Sequence, residues 1–163
     1  MKISILMIIG LLLFSTGCSQ KNSFFSEDAL EQSAIINSQK AQLYSSLEIK
    51  ATIVATYLNA SYPEYKHSKD EMFLVSIFID DDSSEPDNQG IFNKAYLLTL
   101  NGVKVKSVKK LDFEDDLIKI APIRNRWSTY YLVGFETQSD EKLKLTFKND
   151  AYGAEVLEYS KVF

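Results

Sequence analysis

A single cysteine, Cys18, and a single histidine, His67, limit the nucleophilic and acid–base chemistry open to this chain. A nucleophile–histidine–carboxylate device would have to be built around His67. That residue lies in a polar connection, Tyr65-Lys66-His67-Ser68-Lys69, beside two lysines, which is the setting of a solvated loop side chain. No set of Cys and His has zinc spacing. Carboxylates cluster twice. Asp80, Asp81, Asp82, Glu85 and Asp87 crowd one turn-rich loop. Ca²⁺ takes roughly six to eight oxygen ligands, so Asp80, Asp82 and Asp87 are the candidate metal ligands. The EF-hand spacing fails: Asp80, Asp82 and Ser84 fit its start, but Gln89, Gly90 and Ile91 supply no closing Glu. The blander role for this loop is a solvated connection whose charge discourages edge-to-edge pairing. Glu114, Asp115 and Asp116 form the second cluster. Paired-carboxylate hydrolysis needs two carboxyl groups roughly 5–9.5 Å apart across a cleft, which adjacent loop residues rarely offer. No catalytic residue, resident metal or cofactor is therefore expected.

Binding chemistry is better represented. Both arginines of the chain flank its only tryptophan in Arg124-Asn125-Arg126-Trp127. Arg and Trp are enriched at interface hot spots, which makes Arg124, Arg126 and Trp127 the candidate partner-binding residues. Lys104, Lys106, Lys109, Lys110, Lys142, Lys144 and Lys148 form a basic set that could meet anionic head groups or an acidic partner. The formal net charge is nonetheless −4. Nucleic acid is not an expected partner, because its recognition needs a basic footprint.

The beginning of the chain explains the lone cysteine. Lys2 precedes an almost unbroken apolar run over residues 3–14, followed by the small residues Ser15, Thr16 and Gly17. The run suits a secretory signal peptide and is shorter than the ~20 residues a spanning helix needs. Ser15-Thr16-Gly17-Cys18 resembles the lipobox of bacterial lipoproteins, although that class most often carries Leu, Val or Ile where Ser15 stands. The resemblance covers the leader and anchor only. It implies cleavage before Cys18, a diacylglyceryl thioether on its sulfur, and often N-acylation of the new amine with a fatty chain such as palmitate. It also implies a membrane-anchored envelope protein. Ser19, rather than Asp, after the cysteine leans towards the outer membrane facing the periplasm if the organism is Gram-negative. The division expected is a signal peptide at residues 1–17, a lipidated N-terminus and short tether at 18–25, and one domain at 26–163.

The domain itself reads mainly as β. Ser26 before Glu27 and Asp28 has N-cap character, and Phe25 and Leu30 have staple spacing, which predicts a helix over residues 27–41. The period then changes to two. Ile49, Ala51, Ile53, Ala55 and Tyr57 alternate with more polar partners and predict a strand. Residues 72–79, MFLVSIFI, read as a central strand covered on both faces. Asn101-Gly102 between residues 94–100 and 103–108 predicts a type I′ hairpin. A short strand is expected at 117–120, a second hairpin from 128–137 and 141–148, and a last strand at 155–162. Seven or so short strands predict an antiparallel two-sheet sandwich, immunoglobulin-like, preceded by one N-terminal α-helix; a small barrel is the alternative. The function expected is a non-enzymatic binding or assembly module of the cell envelope, held to the membrane through Cys18 and meeting an envelope protein partner. The alternative is a membrane-held binder of a small ligand or metal ion.

Overall fold

The computed structural model describes residues 23–80 and 90–161, with side chains from residue 29 onward. Cys18, the signal peptide and Asp81–Gln89 of the acidic loop lie outside the described residues. Helix α1 (Ser23–Ile36) leads into strands β1 (Ser38–Ser45) and β2 (Glu48–Tyr57). A one-turn helix α2 (Leu58–Ser61) and a 3-10 turn (Pro63–Tyr65) precede β3 (Glu71–Ile79). Then come β4 (Tyr96–Leu100), β5 (Val103–Lys104), β6 (Ser107–Leu111) and a second 3-10 turn (Asp116–Ile120). Strands β7 (Thr129–Phe135), β8 (Lys142–Asn149) and β9 (Gly153–Ser160) complete the described chain.

The strands form two antiparallel sheets, ordered β1-β2-β3-β7-β6 and β5-β4-β8-β9. Strands β2, β3, β7 and β6 stand in the order A-B-E-D of an immunoglobulin sandwich, and β4, β8 and β9 in the order C-F-G. Strand β5 extends the second sheet beside the C position, and β1 adds one strand outside A. Alternation explains which side chains meet. Odd-numbered residues of β2 and β3 face the opposite sheet: Ile53, Ala55, Tyr57, Phe73, Val75 and Ile77 are buried there. Leu143, Leu145 and Phe147 of β8 and Leu157 and Tyr159 of β9 come from the other side. Phe73 sits at the centre of an aromatic group, with ring centroids 5.1 Å from Tyr57, 5.9 Å from Phe135 and 5.3 Å from Tyr159.

Three of the expected elements fall differently. The helix begins at Ser23, inside the expected tether, and ends at Ile36 rather than near residue 41. There the Asn37 side-chain amide donates to the Ser33 carbonyl at 2.9 Å and the Ser38 hydroxyl to the Ala34 carbonyl at 2.6 Å. These bonds satisfy carbonyls left orphaned at a helix end and release the chain into β1. Residues 117–120 belong to a 3-10 turn, not a strand, because the Asp115 carboxylate accepts from the Leu117 amide and caps it. Residues 128–137 and 141–148 do not pair with each other: β7 lies in the first sheet and β8 in the second. The Asn101-Gly102 hairpin is present, with φ of 48° and 82°. Its second strand is cut to two residues, after which the chain crosses to the first sheet as β6.

One charge is buried inside the sandwich. Glu71 is 4 % exposed. Its carboxylate accepts from the Tyr57 hydroxyl at 2.6 Å and the Gln138 amide at 3.2 Å, and meets the Lys161 ammonium at 2.5 Å. Lys161 also donates to the Gln138 carbonyl. The same end is tied across the sheets by the Tyr159 hydroxyl, which donates to the Ala55 carbonyl at 2.7 Å. Along the β1–β9 seam the Gln39 amide donates to the Glu158 carbonyl and accepts from its N–H at 3.1 Å.

Replacing Lys161 by Met strands the Glu71 carboxylate and is expected to cost about 3–5 kcal/mol in urea unfolding. Adding Glu71→Gln removes the charge while keeping an oxygen for Tyr57 and Gln138, and recovers roughly half of that loss. Equal instability of the single and double variants would show that the pair is not what holds this end.

Burial pushes the ionisation of Tyr57, Tyr131 and Tyr159 upward, and the bond to Glu71 adds to the shift at Tyr57. Unfolded tyrosines ionise near pH ~10. Since the folded values are raised, the contribution to stability is complete below that pH and is lost as pH climbs above it. Absorbance at 295 nm should therefore show these three of the nine tyrosines ionising only as the circular dichroism of the fold disappears. Ionisation of all nine with the fold intact would contradict this.

Candidate functional site

The outer face of the first sheet is divided. Ser38, Thr56, Leu74 and Leu132 lie in one cross-strand row, and Lys40, Val54, Ser76 and Tyr130 in the next. A second apolar cluster covers part of this face: Ala34 of α1, Leu58 of α2, Leu74, Leu111, Tyr130, and Leu117, Ile118 and Ile120 of the 3-10 turn. Beyond that cluster the face is open. Its floor is made by Thr52 and Val54 of β2 and Ser76 and Phe78 of β3. Ile123, Asn125, Trp127 and Ser128, from the loop between the 3-10 turn and β7, wall it, and Lys40 lines it from β1. The result is an open trough of about 330 Å³. Trp127 and Phe78 also line a second hollow of about 270 Å³ with Arg126 and Asp80, so the two hollows adjoin at a ridge that includes Trp127.

Local chemistry fixes this loop. Pro122 follows the buried 3-10 turn and prevents its continuation. The Tyr130 hydroxyl accepts from the Asn125 N–H at 2.8 Å and shares its own proton between the carbonyls of Asn125 (3.1 Å) and Ile123 (3.3 Å). The Asn125 carboxamide oxygen accepts from the N–H groups of Trp127 and Ser128 at 3.0 and 2.9 Å, an Asx turn. Trp127 is thus held from behind by its backbone while its side chain is 82 % exposed. An indole left this exposed is the least economical placement for the largest apolar side chain.

The three expected binding residues share this loop but do different things. The guanidinium carbons of Arg124 and Arg126 lie 4.6 and 5.1 Å from the centre of the Phe113 ring. Arg124 also donates to the Phe113 carbonyl at 3.1 Å and approaches Glu114 at 4.0 Å, so it braces the loop. Arg126 has no carboxylate partner among the described residues. Trp127 is the exposed apolar member.

The other candidates are placed as follows. Asp80 meets Lys50 at 3.0 Å, and Lys50 also meets Glu48 at 2.9 Å. These bonds, Glu48 first and then Asp80, hold the Lys50 ammonium well above the ordinary lysine range. Asp82 and Asp87 lie outside the described residues. Among the described residues no group of three His, Cys, Asp or Glu converges. Asp115 caps a turn, Asp116 meets Lys119 at 2.6 Å, and His67 is exposed in a turn after the first 3-10 segment. The lysines are dispersed. Lys142, Lys144 and Lys148 are exposed on β8, two of them beside Glu158 and Asp150, while Lys109 and Lys110 stand on edge strand β6 and Lys106 pairs with Asp70 at 2.8 Å. Among the described residues no helix is long and apolar enough to cross a membrane.

Sequence reasoning missed the floor of the trough. Residues 72–79 are covered on both faces over most of their length, as expected, with Leu74 and Ser76 buried on the outer face, and Phe78 is the half-buried residue that lines the open part. The available signal was Ser76 and the Thr52/Thr56 side of β2, small hydroxyls on the face opposite the apolar one. No family model, no curated protein and no solved structure matches this chain.

Asn125→Ala deletes both Asx bonds and is expected to cost about 1 kcal/mol of stability. It should also lower the fluorescence anisotropy of Trp127, the only tryptophan, because its backbone is no longer pinned. Unchanged anisotropy would show that the ridge is held by something else.

Proposed function

We propose that this protein is a lipid-anchored module of the bacterial cell envelope that binds a partner protein through the Trp127 trough and catalyses no reaction. The observation that carries the binding half is Trp127 itself: an exposed indole on a loop held by an Asx turn and by the stacking of Arg124 and Arg126 on Phe113, beside an open, largely apolar trough. Exposed apolar surface rimmed by polar groups is the usual mark of an interaction site. The anchoring half rests on Ser15-Thr16-Gly17-Cys18 and the apolar run before it. Two or three acyl chains on Cys18 hold a protein firmly where one would not. Four residues separate Cys18 from the start of α1, so at most about 18 Å of extended chain joins the two. The domain would work close to its membrane, the outer membrane facing the periplasm in a Gram-negative cell.

A small-ligand binder is the second reading, since the trough reaches the lower end of the ~300–1,000 Å³ range of ligand pockets. The trough is open along its length and would leave such a ligand largely wet, which favours a protein partner. A cation site at Asp80 is weakened by the commitment of that carboxylate to Lys50.

Cys18→Ala is expected to move the protein from the membrane to the soluble fraction, and mass spectrometry of the native N-terminal peptide should show added acyl mass. A peptide of unmodified mass would remove the anchor. Separately, Trp127→Ala should reduce co-purification of a partner from solubilised membranes by about tenfold or more; undiminished recovery would remove the trough from the interface.

A further inference from the structure

We infer that the trough receives an extended segment of the partner carrying one apolar side chain between two carboxylates, at least four residues apart. This rests on the binding reading above and specifies its ligand. The middle of the trough is apolar, with Val54 and Phe78 below and Ile123 and Trp127 at the side. The ends are cationic. Lys40 lines the trough at β1, and Arg126 lies beyond the Trp127 ridge in the adjoining hollow. Among the described residues neither has a carboxylate partner, in a chain whose net charge is −4. The one carboxylate in that hollow, Asp80, is bonded to Lys50.

Two cations without a carboxylate partner among the described residues, flanking an apolar trough, complement an acid–apolar–acid pattern. The topology sets a lower bound on the spacing. Lys40 shares its cross-strand row with Tyr130, three intervals away in the order β1-β2-β3-β7, and Arg126 lies four residues before Tyr130. At ~4.8 Å per interval the across-strand part alone is about 14 Å, so a segment of at least roughly four extended residues is needed to reach both. The segment therefore runs across the strands and does not add to either sheet edge. Its apolar side chain displaces water from the trough, while the carboxylates fix direction and register.

The test uses the chain from Cys18 onward, unlipidated; the buried residues of both clusters lie within residues 34–159, so it keeps the whole described core. Emission at 295 nm excitation reports Trp127 alone. Titration with acetyl-Glu-Ser-Leu-Ser-Glu-amide should give a saturable blue shift. The Lys-Ser-Leu-Ser-Lys and Glu-Ser-Ser-Ser-Glu analogues should bind about tenfold more weakly or worse, as should the Lys40→Glu/Arg126→Glu variant towards the first peptide. Both substituted residues are exposed, and circular dichroism checks that the variant folds. Equal response to all three peptides, or none to any, overturns the inference. So does a response confined to phosphatidylglycerol vesicles, which would assign the surface to lipid. Loss of partner co-purification in Trp127→Ala without any peptide response would leave the binding reading standing and remove only the proposed pattern. The acyl mass on Cys18 is independent of either result.

Discussion

The two sheets of this sandwich have no covalent bond to hold them face to face, because the only cysteine is Cys18. Immunoglobulin sandwiches often lock strand B to strand F with a disulfide. Here the corresponding strands, β3 and β8, carry Phe73, Val75, Leu143 and Leu145 at their inner positions. Register between the sheets must come from packing and from polar contacts that cross the gap. Strand β9 supplies much of this. Tyr159 reaches the Ala55 carbonyl and packs on Phe73, Glu158 is gripped by Gln39, and Lys161 just beyond the strand meets Glu71. The buried Glu71 carboxylate takes its partners from β2, from Gln138 ahead of β8 and from Lys161 just after β9, so it ties these three segments to β3.

Fixing the inner faces leaves the outer face of the first sheet to be resolved separately. Helix α1, helix α2 and the 3-10 turn cover one part of it, and Tyr130 is the joint between covered and open parts. Its ring belongs to the second apolar cluster, while its hydroxyl holds the loop that carries Trp127. The position of Trp127 is therefore a consequence of core packing and not of a free surface loop. Phe113 extends the joint on the other side, 6.1 Å from the Tyr130 ring and beneath both arginines. Gly90 shows how tightly the inner side of the same strand is packed. A Cβ there would fall 2.0 Å from the Tyr131 hydroxyl, and its φ of +88° favours glycine independently.

Elements with a strong local signal were legible in the sequence. Strands β2 and β8 alternate cleanly, β3 is a continuous apolar run, and Asn101-Gly102 takes the positive φ values its turn requires. The Asn101 side chain adds a bond the pattern could not reveal, accepting from the Lys144 amide at 2.8 Å and tying the turn to β8. Errors arose where tertiary context decides. The loose helical spacing of Ala34, Ile35 and Ala41 runs on into β1 and hides the start of the strand at Ser38. Its real turn to β2 has no Gly or Pro: Ser46 takes the positive φ, 56°, and the strand carries a bulge between Leu43 and Tyr44. The hairpin expected from residues 128–148 failed for a different reason. Periodicity describes the two faces of a strand and is silent on its neighbour. What sends β8 to the other sheet is the stretch of Thr137 and Gln138, bonded to the Lys69 carbonyl and to Glu71.

The candidate site divides along the same line. Arg124-Asn125-Arg126-Trp127 was visible as a string of binding-prone residues, but composition could not assign their roles. The sequence treats the arginines as equivalent; both stack on Phe113, but Arg124 is also bonded to the Phe113 carbonyl and near Glu114, while Arg126 has no carboxylate partner among the described residues. The floor was invisible because it is assembled from two strands whose outer residues, Thr52, Val54, Ser76 and Phe78, follow neither a polar nor an apolar rule. Val54 and Ser76 are buried, at 7 % and 6 % exposure, so Thr52 and Phe78 carry most of what this floor shows to solvent. The Thr52 hydroxyl accepts from the Gln42 side-chain amide at 3.1 Å, and the Phe78 ring is the part that would gain if water were displaced. A uniformly apolar floor would instead have favoured collapse of the loop onto the sheet, removing the opening that Trp127 now borders.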